Sequence, residues 1–262
     1  MDARKLADLL RTGMLRPVYH GENGLRTLRE LARSYQTISK DLDRVMNRLK
    51  ALYRGIAAGG LPVPGPRSML RAIARNGCTR SRMPASIAQL LYQQLDGLQA
   101  LRRTLRPELL AESRKHKAAK LLRQVPCIGP IRAARLLELM QTPHRFRSQR
   151  QLWTYSGLGM ETHDSAQYRY VRGQLQRSKK PQPIRGLNQN RNHEMKEIFK
   201  GAATRASCGV GPLRDFYVAL LDKGMRPEMA CLTLARKIAA IALTLWKKEE
   251  RFDAEPLKPQ AA

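Results

Sequence analysis

LRTLRELARSYQTISKDLDRVMNRLKALYRGI, residues 25–56, sets the architecture. Leu28, Leu31, Tyr35, Ile38, Leu42, Val45, Leu49, Leu52 and Ile56 follow one another at alternating steps of three and four. That spacing is a heptad seam, sustained over four heptads and flanked by Arg, Lys, Asp and Glu. An apolar stripe this long must be covered. A coiled-coil partner covers it, and so does a neighbour in an ordinary helical bundle. One helix does not show whether its partner lies in the same chain or in another.

The sequence on either side supplies a partner. Residues 57–84 carry Gly and Pro clusters around a short helical piece, as the connector of a hairpin would. From Ala85 a second long helix is expected. Ile87, Leu91, Leu98, Leu101 and Leu105 fall on a seam, with Gln94 in the missing place, and Pro107 is expected to kink or restart it. Residues 101–124 then turn basic, with eight Lys or Arg against two Glu. The reading is a long antiparallel coiled-coil hairpin. Ahead of it, Leu6, Leu9 and Leu10 are expected to share one face of a short helix over residues 3–13.

The chain has 262 residues and 42% apolar composition, so it can bury a real core. Forty-nine Lys and Arg against 21 Asp and Glu leave a net charge of +28. Such an excess repels itself unless a polyanion is nearby. Nucleic acid fits best, because each phosphate that is neutralised releases counterions; an anionic membrane surface is the competitor. Cys78, Cys127, Cys208 and Cys231 show neither CxxC nor zinc spacing. The opening MDARKLADLL does not read as a signal peptide, and no uninterrupted apolar run approaches a membrane span. The expected setting is cytoplasmic or nucleoid-associated.

Three later blocks carry chemistry. In LLRQVPCIGPIRAARLLELM, residues 121–140, a tight turn around Gly129 separates two helices, the second with Ala133, Leu136 and Leu137 facing in. This resembles a helix-hairpin-helix element, whose turn and helix N-terminus offer N–H groups to a phosphate; Gly129 and Arg132 are its candidate contacts. Cys127 stands where the first glycine of such a turn usually lies, and an ordinary helix–turn–helix corner fits the same residues. In FRSQRQLWTYSGLGMETHDSAQYRYVRG, residues 146–173, a helix from Ser148 to about Tyr155 precedes an extended stretch and a strand or hairpin. Ser165 is a candidate nucleophile toward a phosphodiester, with Arg145, Arg147, Arg150, Arg169 and Arg172 to balance phosphorane charge. The adjacency of His163, Asp164 and Ser165 does not make a triad, since neighbours on a strand point to opposite faces. In RSKKPQPIRGLNQNRNHEMKEIFKGAATRA, residues 177–206, an amide-rich basic loop with Lys179, Lys180, Arg185, Asn190 and Arg191 leads to a helix over Glu194–Ala203 with Asn192 as N-cap. A solvated basic loop fits that stretch as well. LTLARKIAAIALTLWKK, residues 232–248, is expected to be a buried closing helix.

Together, VPCIGPIRAARLL, FRSQRQLWTYSGLGM, HDSAQYRYVRGQLQRSKK, RGLNQNRNHEMKEIFKGAA and LTLARKIAAIALTLWKK resemble the insertion-sequence-110 transposase family, especially its 1111-type subgroup. The resemblance covers essentially the whole chain. It implies a RuvC-like nuclease domain with four acidic Mg²⁺ ligands, then a coiled-coil hairpin, then a transposase domain whose serine links covalently to DNA. Ser165 matches that serine. It also implies oligomers formed through the coiled coil, a structured noncoding guide RNA and double-stranded DNA as partners. No membrane partner is expected.

Here the chain opens Met1-Asp2-Ala3, and Asp2 matches only the last acidic ligand of that nuclease domain. The expectation is therefore an N-terminally truncated transposase. Residues 1–20 would be a remnant, 21–115 the hairpin and 116–262 the serine-bearing domain, mostly helical with a small β element. One carboxylate does not hold Mg²⁺, so no cofactor is expected in this chain. The competing reading is an inactive remnant that only binds nucleic acid.

Overall fold

The computed structural model describes residues 3–13, 23–56, 85–162, 168–171, 174–177 and 184–254. The fold is mainly α. It runs α1 (Ala3–Arg11), a 3-10 turn (Asn23–Leu25), α2 (Arg26–Ile56), α3 (Ala85–Arg114), α4 (Lys117–Leu122), α5 (Pro130–Met140), a second 3-10 turn (Pro143–Arg145) and α6 (Gln149–Tyr155). Four strands follow, β1 (Met160–Thr162), β2 (Tyr168–Val171), β3 (Gln174–Arg177) and β4 (Ile184–Leu187), then α7 (His193–Ser207), α8 (Pro212–Asp222) and α9 (Pro227–Lys248). Asp2, the connector 57–84, the segment 163–167 with Ser165, and Arg172, Lys179 and Lys180 lie outside the described residues.

The chain divides into two compact units, one of residues 27–124 and 128–138, the other of residues 1–26, 125–127 and 139–262. Residues 116–124 go with the hairpin, where α4 packs on α3.

In the hairpin unit, α2 and α3 share one apolar cluster of Leu42, Val45, Leu49, Tyr92 and Leu95, with Ile38, Met46, Leu91 and Leu98 against it. The α2 seam is as expected: Leu28, Leu42, Val45 and Leu49 are buried, and Leu31, Tyr35, Ile38 and Leu52 are half-buried. The α3 seam is not. Ile87 and Leu101 are exposed, at 43% and 57%, and so is Gln94, while Tyr92 and Leu95 are buried. The covered face keeps Leu91 and Leu98 and is shifted to their Tyr92 and Leu95 side. That shift exchanges the amide of Gln94 for the apolar side chain of Leu95 at the seam. Pro107 does not stop the helix, which continues through it to Arg114. On α1, Leu9 is buried but Leu10 is 70% exposed; successive residues of a helix differ by about 100°, so both do not face one core.

The second unit is built around α9, which packs against α7, α8, α6 and the second 3-10 turn. Its buried face includes Leu234, Ala235, Ile238, Ala239, Ala242 and Leu243. On α7 the matching face is Met195, Ile198, Phe199, Ala202, Ala203 and Ala206. Alanines on both faces let the two backbones approach closely while the larger side chains interdigitate. Pro227 opens α9 with φ already set for a helix. Lys247 and Lys248 lie in its last turn, where the carbonyl end of the dipole favours cations. The helix has the length and hydropathy of a membrane span, but 56% of its most apolar window is buried inside the protein. It is the core helix of this unit, as its sequence suggested.

The strands form two separate antiparallel pairs, β1 with β4 and β2 with β3. The β2–β3 hairpin, in register from Tyr168↔Arg177 to Val171↔Gln174, is thus inserted between two strands that pair with each other.

The hairpin packing makes a direct prediction. Leu42→Ala removes a side chain that is 3% exposed and should cost about 2–5 kcal/mol. Leu101→Ala, on the expected seam but outside the observed one, should change stability by about 0.5 kcal/mol or less. Urea denaturation of the intact chain distinguishes the two.

Candidate nucleic-acid interface

The helix-hairpin-helix-like turn lies between α4 and α5. Cys127 has φ +68°, in the left-handed region that L side chains avoid. The backbone therefore keeps the conformation that a glycine would supply at this place in the turn. Gly129 is exposed with open space around its Cα, and its carbonyl accepts from Ala133 N (2.9 Å), which closes the first turn of α5. Pro130 opens the helix. The remaining N–H groups of a first turn have no carbonyl within their own helix, the property that suits such a turn to an anion. Ala133, Leu136 and Leu137 are buried as expected, and Arg132 is half-buried.

In the other unit, the block SGLGM and the block LNQNRN are joined by a dense set of bonds. Ser148 caps α6 through Gln151 N (3.4 Å). At the far end of α6, Leu158 N and Gly159 N both bond Trp153 O at 2.8 Å. Asn188, 7% exposed, donates from Nδ2 to Thr154 O (2.8 Å), accepts at Oδ1 from Asn190 N (2.9 Å), and its own N–H reaches Gly159 O (3.0 Å). Asn192 caps α7 by accepting from Met195 N (2.9 Å), and its backbone N–H bonds Tyr155 O (2.9 Å). This platform carries the start of β1 and the end of β4. Ser165 lies three residues past the end of β1 and three before the start of β2.

Two glycines make the platform possible. A Cβ on Gly157, whose φ is +68°, would lie 1.9 Å from Arg191 Cδ and 2.9 Å from Arg191 Cβ and Cγ. A Cβ on Gly159 would lie 2.9 Å from Thr154 N, which is backbone. Asn188, Gly157 and Gly159 were not singled out as functional from sequence. The repeated glycine in SGLGM was the available signal. Asn188 read as one of several surface amides, yet both ends of its side chain are turned inward.

The candidate cations fall into two groups. Arg147 and Arg150 are exposed, as is Asn190. Arg145 and Arg191 are half-buried and held. The Arg145 guanidinium lies 4.3 Å from the Tyr155 ring centroid and 5.4 Å from that of Phe146, and Nη1 donates to Leu139 O (3.3 Å). Arg191 Nη1 donates to Asn188 O and Gln189 Oε1, both at 2.9 Å, while its stem crosses Gly157. For Arg169 and Arg185 only the backbone is described, in β2 and β4. Gly129 and Arg132 belong to the hairpin unit and the others to the second unit. Next to Arg191, Lys196 has its pKa lowered from the usual lysine value by partial burial, and then by the positive charges of Arg191 and Lys200. Burial likewise lowers that of Arg236, whose Nε donates to Leu158 O (2.6 Å) and whose carbonyl accepts from Trp153 Nε1 (3.0 Å).

With this geometry in place, comparison with known proteins is informative. Residues 119–184 match the family described as Transposase IS116/IS110/IS902 family. No curated protein matches the chain. The matched segment begins in α4, takes in the Gly129 turn, α6 and the first three strands, contains Ser165 and ends at the first residue of β4.

Two predictions follow from the platform. Gly157→Ala should displace Arg191 and cost about 1–3 kcal/mol, combining the left-handed backbone with the clash; thermal melting measures it. Lys196 should titrate below an ordinary lysine in NMR spectra of the folded chain, and Arg191→Gln should move it upward. The sign is that of a depressed lysine: the unfolded chain binds the proton more tightly, so the associated cost is present at neutral pH and is relieved as pH rises toward the usual lysine value.

Proposed function

We propose that this chain works in the transposition of an insertion sequence, binding double-stranded DNA and cutting it through Ser165. The observation that carries the reading is the family match over residues 119–184, which includes Ser165. The platform supports it, because β1 and β4, which bound the stretch of chain containing Ser165, are both tied to buried backbone. In the proposed step, Ser165 Oγ attacks phosphorus, a general base takes the hydroxyl proton, and one ester oxygen leaves as the DNA hydroxyl end. The DNA is then held as a phosphoserine ester, which a second DNA hydroxyl can reopen. Gly129, Arg132, Arg147, Arg150, Asn190 and Arg191 are proposed to hold phosphates, together with Arg169 of β2, Arg185 of β4, and Arg172, Lys179 and Lys180. Arg145 is proposed to act through Tyr155 by stiffening the platform.

A structured noncoding guide RNA and further copies of the chain, joined as coiled coils along the hairpin, complete the proposal. Mg²⁺ belongs to a full-length relative. Among the described residues no group of three or more His, Cys, Asp or Glu could hold a metal ion.

Two measurements test the proposal. Incubation with substrate DNA, guide RNA and a full-length relative should yield a protein–DNA adduct that survives denaturation. Ser165→Ala should abolish the adduct contributed by this chain; an undiminished adduct would assign the chemistry elsewhere. Duplex affinity should fall steeply with salt, with a log–log slope of about −0.9 for each phosphate neutralised. Steep binding with no adduct under any condition would leave a nucleic-acid-binding protein without this catalysis.

A further inference from the structure

A groove of about 710 Å³ runs along one face of α9, entirely within the second unit. Residues from Thr233 to Lys248 line it, a length of about 22 Å at 1.5 Å per residue. Glu249, with φ +56°, takes the left-handed conformation at the end of α9, and Glu250, Arg251, Phe252 and Asp253 form part of the wall. The surface is more apolar than polar, with rings from Trp153, Phe216 and Phe252, each half-buried. Trp153 is fixed by its indole N–H on Arg236 O, and Lys237 Nζ lies 5.8 Å from the Phe216 ring centroid. Four cations line the groove, Arg236, Lys237, Lys248 and Arg251, against the two acids Glu250 and Asp253.

We infer that this groove binds single-stranded nucleic acid, with bases against its rings and phosphates on Lys237 and Arg251. Rings interleaved with cations are the pattern of single-strand sites, because stacking needs base faces that a duplex hides. A groove this long and open along a helix suits an extended strand better than a compact ligand. Its excess of cations over acids is complementary to a polyanion, and the groove lies in a chain of net charge +28. The inference rests on the nucleic-acid reading above but not on Ser165. Arg236 is held by the platform through Leu158 O, so a strand in the groove would lie against the same bonds that anchor β1.

The two tryptophans provide the test. Trp246 is 8% exposed, whereas Trp153 lines the groove, so in Trp246→Phe the emission reports on the groove alone. Should that variant fold poorly in circular dichroism, the same titration of the wild-type chain reads the quenchable fraction. Single-stranded DNA and RNA of about a dozen nucleotides should each quench Trp153 emission at saturation. A duplex of equal length and an oligoglutamate peptide, each brought to saturation by anisotropy, should not. Lys237→Gln with Arg251→Gln should weaken single-strand binding about tenfold and reduce the log–log salt slope by about 1–1.5. Single strands that bind without quenching, equal quenching by duplex or peptide, or an unaltered slope in the double variant would each overturn the assignment. Duplex affinity and the Ser165 adduct remain measurable in that variant, so failure of the groove and failure of the transposase reading are distinguishable.

Discussion

There is no room for a methyl group at Gly157 or Gly159. That constraint orders the second unit. Because those two residues have no Cβ, the arginine stem of one block crosses the backbone of another, and the backbone at Gly159 sits against Thr154. Asn188 then closes the gap with its amide, bonding backbone on both sides while excluded from water. Each of these bonds replaces one to water, and a buried amide left unpaired would cost about 1–3 kcal/mol. The arrangement therefore forms as a whole. Its product is a fixed starting point for β1 and β4, and hence for the segment that carries Ser165.

The second organising fact is what the basic side chains do inside the protein. Among the described residues, those held in the second unit bond backbone carbonyls: Arg145 to Leu139 O, Arg191 to Asn188 O, Arg236 to Leu158 O, Lys247 to Phe146 O and Arg147 O, and Arg214 to Ser207 O and Gly209 O. Several of these carbonyls lie at helix ends, where lone pairs have no N–H partner and the dipole is negative. The pattern suits a chain with few acids. Cations that tie the fold together through carbonyls keep their charge, so folding does not neutralise the molecule. The described ion pairs lie at the surface and within helices or chain ends, such as Arg44–Asp41 and Lys115–Glu112, where such pairs contribute little. The charge that remains is +28, a field complementary to a polyanion.

The site was only partly legible in advance. The N-cap role of Asn192, the inward residues of α5 and the core character of α9 all follow from local pattern, and the structure bears them out. Asn188 was not legible, because an amide in a polar loop looks the same whether it faces water or backbone. Arg145 likewise reads as a phosphate ligand in a basic run, and only the fold brings Tyr155 beneath it. The groove along α9 combines Trp153, Phe216 and Phe252, which lie far apart in sequence.

By itself the sequence determined the helical class, the α2 seam, the closing helix and the charge. Each depends on a period or a sum along one stretch of chain, and the hydrophobic effect acts on that pattern directly. Tertiary structure alone decided which face of α3 is covered, where the compact units divide, and that Gly157 must lie under Arg191. The α3 face shows why. On paper Ile87, Gln94 and Leu101 continue the stripe of Leu91 and Leu98; in the fold Tyr92 and Leu95 do, and Ile87 and Leu101 are exposed. Neighbouring stripes on a helix differ by one residue, and the partner's shape selects between them.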